Sequence, residues 1–432
     1  MHIAKYFAAI LLLTASVSLA GQNRPFHPKE GVSFSDKKIT VRFAARKQNY
    51  AGGDAATRDA DIFSPKSVNI HPSGKKYYVN SLEGCSTVVY DFASGSKLKV
   101  ISHSFDDSDS LLWAPESGLY EFTHYSRNLN TFKGKPVEST FSHDGRYLWV
   151  PYYRRSYDIN AQDPSAVAVI DTERDSIIRL FETGPLPKMI ATSDDGRFIA
   201  ITHWGDNTVG VMDISSEDPL QWHYKCCLTV DYRLKLNYSL STSVNRDVGS
   251  GYCLRGTVFT PDNRYLLVGC MGGSGGIAVI DTETGTYLGR LTGMMTNLRH
   301  LVIKGGYLYI SICNKGYIQR IRLEDILEAI PEMPIGKTLQ VNGWENCKVP
   351  AGARTLVLSP DGRYAFAACN SGRCLAIVDA TTMTLAGTVP ADPFPVGLDI
   401  SEDGTLILMT SQAKPSIGGG NAVDIFEVEY TD

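Results

Sequence analysis

The chain has 432 residues, with 42 basic and 46 acidic side chains and a formal net charge of −4. That near balance excludes a global electrostatic attraction to nucleic acid or membrane, so any such partner must be met by a local patch. With 39 glycines, 20 prolines and 22 tyrosines, recurrent Val-Ile-Asp triplets and little helical periodicity, the composition favours short strands and tight turns over a mixed fold.

Residues 1–20 read as a secretory signal peptide. Lys5 closes a short basic start, residues 7–13 are apolar, and Ser18-Leu19-Ala20 is a small-residue cleavage signal. The apolar run is too short to span a bilayer, and no cysteine stands at the cleavage point, so neither a transmembrane nor a lipid anchor is expected. The expectation is an exported chain starting near Gly21, periplasmic or at the cell surface. Residues 21–37 are a lead-in and residues 38–432 form one domain.

Within that domain one turn recurs along the chain. It is written His71-Pro72-Ser73-Gly74, Ser142-His143-Asp144-Gly145, Ser193-Asp194-Asp195-Gly196, Thr260-Pro261-Asp262-Asn263, a shortened Lys304-Gly305-Gly306, Ser359-Pro360-Asp361-Gly362 and Ser401-Glu402-Asp403-Gly404. Alternating apolar residues flank each copy, as a hairpin requires. About fourteen residues on comes a third strand ending in an acidic turn, as in Val167-Ala168-Val169-Ile170-Asp171 and Ile277-Ala278-Val279-Ile280-Asp281, and then a weaker fourth strand. Asp361 and Asp403 lie 42 residues apart, the length of one four-stranded propeller blade. The seventh copy ends after its third strand, and the spare strand at residues 38–43 supplies the fourth. The expected fold is therefore an all-β, seven-bladed β-propeller closed by pairing its two ends, which removes an open sheet edge.

Tyr78-Val79-Asn80 and the block from Ser359 to Asp379 resemble the YVTN-repeat propeller family over nearly the whole mature chain. The resemblance implies this fold and the company of surface-layer and periplasmic binding or scaffold proteins. Fold likeness does not settle an activity.

In such a blade the loops entering the inner strand share a face with those joining second to third strands. The long insertions fall there, at residues 106–135, 153–164, 231–252 and 412–421, whereas the opposite face carries tight turns and a helix-like stretch at 324–330. Elaborated loops on a rigid scaffold are where binding usually sits. At the entry to the inner strand, the middle residue of the repeat triplet is basic in five of seven blades: Lys66, Lys188, Arg255, Arg299 and Arg354. These are expected to ring one mouth of the central channel. Five like charges so placed call for a bound anion, for carboxylates such as Glu138, or for an escape of their heads to water. His300 follows Arg299 into the same mouth. Tyr152, Tyr153, His203 and Trp204, at the ends of second strands, form a candidate aromatic rim or pack between blades, and Tyr125 and Arg127 overhang from the first insertion.

No cofactor is implied. The chain has no Cys-x-x-Cys-His haem motif and no His-x-His or His-Glu-x-x-His pairing, and Gly272-Gly273-Ser274-Gly275-Gly276 lacks the strand–turn–helix setting of a nucleophile elbow. Asp106-Asp107-Ser108-Asp109 lacks calcium-loop spacing and reads as a solvated acidic loop. The nine cysteines read mostly as free thiols, with Cys369 and Cys374 flanking a hairpin as a candidate pair. Three functions stand open: a non-catalytic binding module for an anionic small molecule, glycan or nucleic-acid segment; a lactonase-like hydrolase acting at the same mouth; and a surface-layer or adhesive module that contacts an envelope protein.

Overall fold

The computed structural model describes residues 26–122, 128–234, 246, 249–413 and 418–431. Residues 1–20, expected to be a signal peptide, and Tyr125 and Arg127, expected to overhang the mouth, lie outside them.

Four of the seven recurring turns are closed by the same side-chain bonds. Ser359 donates its hydroxyl to Asp361 at 2.6 Å and accepts from the amide of Tyr364 at 3.0 Å, while Asp361 also accepts from the amide of Arg363. Ser193, Thr260 and Ser401 make the same bonds to Asp195, Asp262 and Asp403. The aspartate after the third strand works alike: Asp379 accepts from the amides of Thr381 and Thr382. These contacts replace backbone partners that a turn cannot offer, which is why the short polar residues recur at fixed offsets.

The strands between the turns form seven sheets arranged as blades, with chain order running from the channel outward. The inner strands are Pro65–Ile70, Thr140–Ser142, Pro187–Thr192, Leu254–Phe259, Leu298–Lys304, Ala353–Leu358 and Pro395–Ile400. Both faces of a blade are buried against neighbours, so the strands read as continuous apolar runs. Leu148, Val150 and Tyr152 face the first blade, and Tyr147 and Trp149 face the third. Seven apolar clusters result, one for each blade interface.

The two ends of the chain meet in the seventh blade. Ile39–Gln48 pairs antiparallel with Ala422–Tyr430, from Ile39 opposite Tyr430 to Gln48 opposite Ala422. This strand continues five residues beyond the expected 38–43, and Ser33–Ser35, inside the expected lead-in, adds a further strand outside it. Asn421 fastens the closure: its Oδ1 accepts from the amide of Ser64 at 2.6 Å, and its amide donates to the carbonyl of Asn49 at 2.5 Å.

Several elements extend the repeat. Phe132–Pro136, from the first insertion, pairs with the far half of Tyr147–Arg155, so the inner strand of blade two is short. The helix lies at Leu323–Ala329, and the chain after it adds Lys337–Gln340 in parallel to blade four before Glu345–Lys348 completes blade five. Asp106 caps the short helix Asp107–Leu112 through the amide of Ser108, so the acidic run is a helix start. All nine cysteines are free; Cys369 and Cys374 face each other across their hairpin without a bond. Among the described residues no helix is long and apolar enough to cross a membrane.

Candidate anion site in the central channel

Two backbone devices aim the basic side chains. First, the residue preceding the inner strand is left-handed in six blades: Ser64, Leu186, Cys253, Asn297, Gly352 and Phe394 have φ between 51° and 85°. Five of these are not glycine, and each holds a conformation that costs about 1 kcal/mol or more. Second, the pairing register shifts at the next residue. The shifts fall between Pro65 and Ser67, Pro187 and Met189, Leu254 and Thr257, Leu298 and His300, and Ala353 and Leu356. Lys66, Lys188, Arg255, Arg299 and Arg354 occupy those bulges, and a bulge re-aims its side chain away from the sheet face. Hydroxyls of the preceding blade hold three of these residues by their carbonyls: Thr410 binds Lys66, Thr202 binds Arg255 and Ser311 binds Arg354.

Four of the five cations converge. Lys66 Nζ lies 3.3 Å and Arg255 Nη2 3.5 Å from the same oxygen, Oε1 of Glu138. Arg299 and Arg354 act electrostatically on Lys66 and on each other, and Glu138 is the carboxylate acting on all four among the described residues. The Lys66 and Arg255 heads do not escape to water, the Lys66, Arg255 and Glu138 side chains being 8%, 5% and 11% exposed, while Arg299 and Arg354 are half-buried. Four donors, Lys66 Nζ and the Nε atoms of Arg255, Arg299 and Arg354, are buried without a hydrogen-bond partner. The Lys66 ammonium is within ion-pair distance of Glu138, at 3.3 Å.

The charges strain one another. Burial, and then the neighbouring arginines, hold Lys66 well below the usual lysine range despite Glu138. Burial with Arg255 beside it lowers Arg354 to about 10, and Arg299 falls for the same reasons. Burial alone would raise the Glu138 carboxyl, but Lys66 and Arg255 outweigh it and keep it ionised. Burial lowers His300 to about 4, so its imidazole is neutral near pH 7.

Below the cluster runs a cavity of about 380 Å³, lined by Glu138 and His300 at one end and reaching Asp194, in a tight turn of the opposite face. The basic cluster therefore closes the channel on the loop-rich side, and the cavity approaches it from the plain side.

The remaining candidates separate. Lys188 turns to an aromatic pair, its ammonium 3.8 Å from the Tyr153 ring centroid and 5.1 Å from that of Trp204. Tyr152 and His203 are corrections to the expected rim. Tyr152 is fully buried between blades one and two, bonded through its hydroxyl to His103 at 2.8 Å. His203 is fully buried between blades two and three, bonded to Thr183 of blade two at 2.7 Å and to Thr208 of its own blade at 2.8 Å. Both sit on strand faces that pack against a neighbour. Sequence reasoning passed over Met271, whose sulfur accepts from Arg299 at 3.4 Å, and Cys313, which acts electrostatically on all three arginines. Neither has a signal in the repeat. Among the described residues no group of three or more His, Cys, Asp or Glu is placed to hold a metal ion.

No family model matches the chain, and no curated protein matches it. Solved structures do. The chain superposes on hydrazine synthase of Kuenenia stuttgartiensis with a TM-score of 0.59 at 14% identity, over 88% of this chain and 99% of that one. It superposes on the β-propeller domain of Cps50 (Swd1) from Myceliophteria thermophila with a TM-score of 0.58 at 13% identity, over 89% and 100%. At such identities the likeness is one of fold. This chain is a seven-bladed β-propeller.

Proposed function

We propose that this propeller is an exported, non-catalytic binding protein of the YVTN-repeat kind, which holds an anionic ligand at the basic end of its channel. One observation carries the reading: two buried cations, Lys66 and Arg255, share a single carboxylate beside the half-buried Arg299 and Arg354, and one buried donor on each of the four has no hydrogen-bond partner. Buried charges without partners are strongly unfavourable, and an anion with several oxygens would satisfy them together. A hydrolase reading would make Glu138 the base at the same place. The cations that keep it ionised also lower its basicity, which favours binding over proton abstraction.

The test is thermal unfolding in a zwitterionic buffer with a panel of phosphates, carboxylates and sugar phosphates. A ligand at about 100 times its Kd stabilises by ~2.7 kcal/mol. A saturable rise that disappears when Arg255, Arg299 and Arg354 are all changed to Met supports the reading. No rise beyond that given by sodium chloride of equal ionic strength refutes it.

A further inference from the structure

The cluster is more than a basic socket, because a carboxylate sits inside it. Glu138 contacts both Lys66 and Arg255 most closely through Oε1, and its Oε2 is not among the buried atoms that lack a partner, which leaves it open to the cavity that Glu138 lines. The side chain borders the channel cavity, beside the neutral imidazole of His300. An ionised carboxylate only accepts hydrogen bonds. An anion drawn in by Lys66, Arg255, Arg299 and Arg354 must therefore place one atom against another acceptor. If that atom is a bare anionic oxygen, it meets like charge in a poorly solvated place. If it is a hydroxyl, it donates to Oε2 and forms a charge-assisted bond.

We infer that Glu138 makes this site selective for an anion that carries its own hydroxyl, such as hydrogen phosphate or a hydroxylated carboxylate, over an anion of similar shape without one. The inference rests on the anion-binding reading and names the ligand class for it. One hydrogen bond to a charged group corresponds to a preference of roughly 10- to 150-fold. Repulsion from the carboxylate adds to the rejection of the proton-free anion.

Two matched pairs of probes test it by calorimetry on the full mature chain at pH 7.5: inorganic phosphate against sulfate, and glucuronate against cyclohexanecarboxylate. The parent should prefer the hydroxyl-bearing member of at least one pair by about 10-fold or more. In Glu138→Gln the amide can both donate and accept, and the preference should fall to within about threefold while the proton-free anion gains affinity. A preference in the first pair points to a mineral phosphate ligand, and one in the second to a sugar acid. Binding of both members of each pair with equal affinity, or a preference that survives Glu138→Gln, overturns the inference and leaves the anion site standing. Binding of none of the four probes overturns the inference together with the reading beneath it. Should Glu138→Gln fail to fold, Lys66→Met/Glu138→Gln removes one charge of each sign, and the same loss of preference is expected.

Discussion

Replacing Arg354 with methionine should stabilise the protein when no anion is present. In the folded chain burial and Arg255 lower the Arg354 guanidinium to about 10 from an ordinary 12.5. A folded pKa below the unfolded one means that the charged form is disfavoured in the fold at every pH below about 10, a burden relieved only as pH rises from there towards 12.5. About 2.5 pKa units correspond to ~3 kcal/mol of destabilisation at neutral pH. Methionine keeps much of the stem and drops the charge. With ~2.1 cal/mol/K of unfolding entropy per residue over roughly 400 residues, each kcal/mol shifts Tm by about 1.2 °C, so the variant should gain about 3–4 °C. Differential scanning calorimetry in zwitterionic buffer measures this directly. Saturating anion should then close the gap, since binding relieves in the parent what the substitution removed. If Arg354→Met melts below the parent in anion-free buffer, the arginine contributes more by packing than it costs by charge, and a strained cluster waiting for an anion is the wrong picture.

Two further predictions concern the channel wall and the ring closure. Asp399 accepts from the amides of Ile70 and Ile400, yet burial raises it to about 6 from 3.8. A raised folded pKa means full stability below about pH 4 and a loss as pH rises through 6, worth ~3 kcal/mol for two units; in urea titrations at pH 4 to 7 the stability of the parent relative to Asp399→Asn should fall by that amount, and a pH-independent difference would contradict it. Phe43 is fully buried on the closing strand, its ring edge-on to Phe426 at 5.3 Å; Phe43→Ala should cost about 3–5 kcal/mol, seen as a Tm lower by ~4–6 °C, and a loss under 1 °C would mean that closure does not hold the ring together.

How much of this could be read from residues alone depends on what each residue is attached to. The Ser-x-Asp-Gly turns recur because Ser359, Ser193 and Ser401 must each close the same hydrogen bonds locally, so the repeat, the blade count and the closing strand are all legible. The convergence of Lys66, Arg255, Arg299 and Arg354 was legible as well, because they occupy one repeat position. The direction of Tyr152 and His203 was not. A propeller strand buries both faces, so alternation distinguishes one neighbour from the other but never inside from outside. The turn of Lys188 towards Tyr153 and Trp204 was also hidden, since it depends on loops particular to blades two and three.

The bulges explain how the channel can carry such charge. On a regular strand, a residue at the position of Arg299 would alternate with His300, and one of the two would face the neighbouring blade. The register shift between Leu298 and His300 takes Arg299 out of that alternation, leaving His300 on the cavity wall and Arg299 free to turn to the cluster. The same shift at Lys66, Arg255 and Arg354 adds charge to the cluster without inserting a residue into any of the seven apolar interfaces. Val396 of blade seven lies in an equivalent shift between Pro395 and Leu398 and carries no charge, so the geometry belongs to the repeat and does not itself require a cation. Stability did not require them: each basic head in the cluster is held below its ordinary pKa. Blade seven makes the same shift with valine, so the four mutually repelling cations around one glutamate are not needed to form the bulge, and this is the reason for proposing that they serve an anion entering the channel.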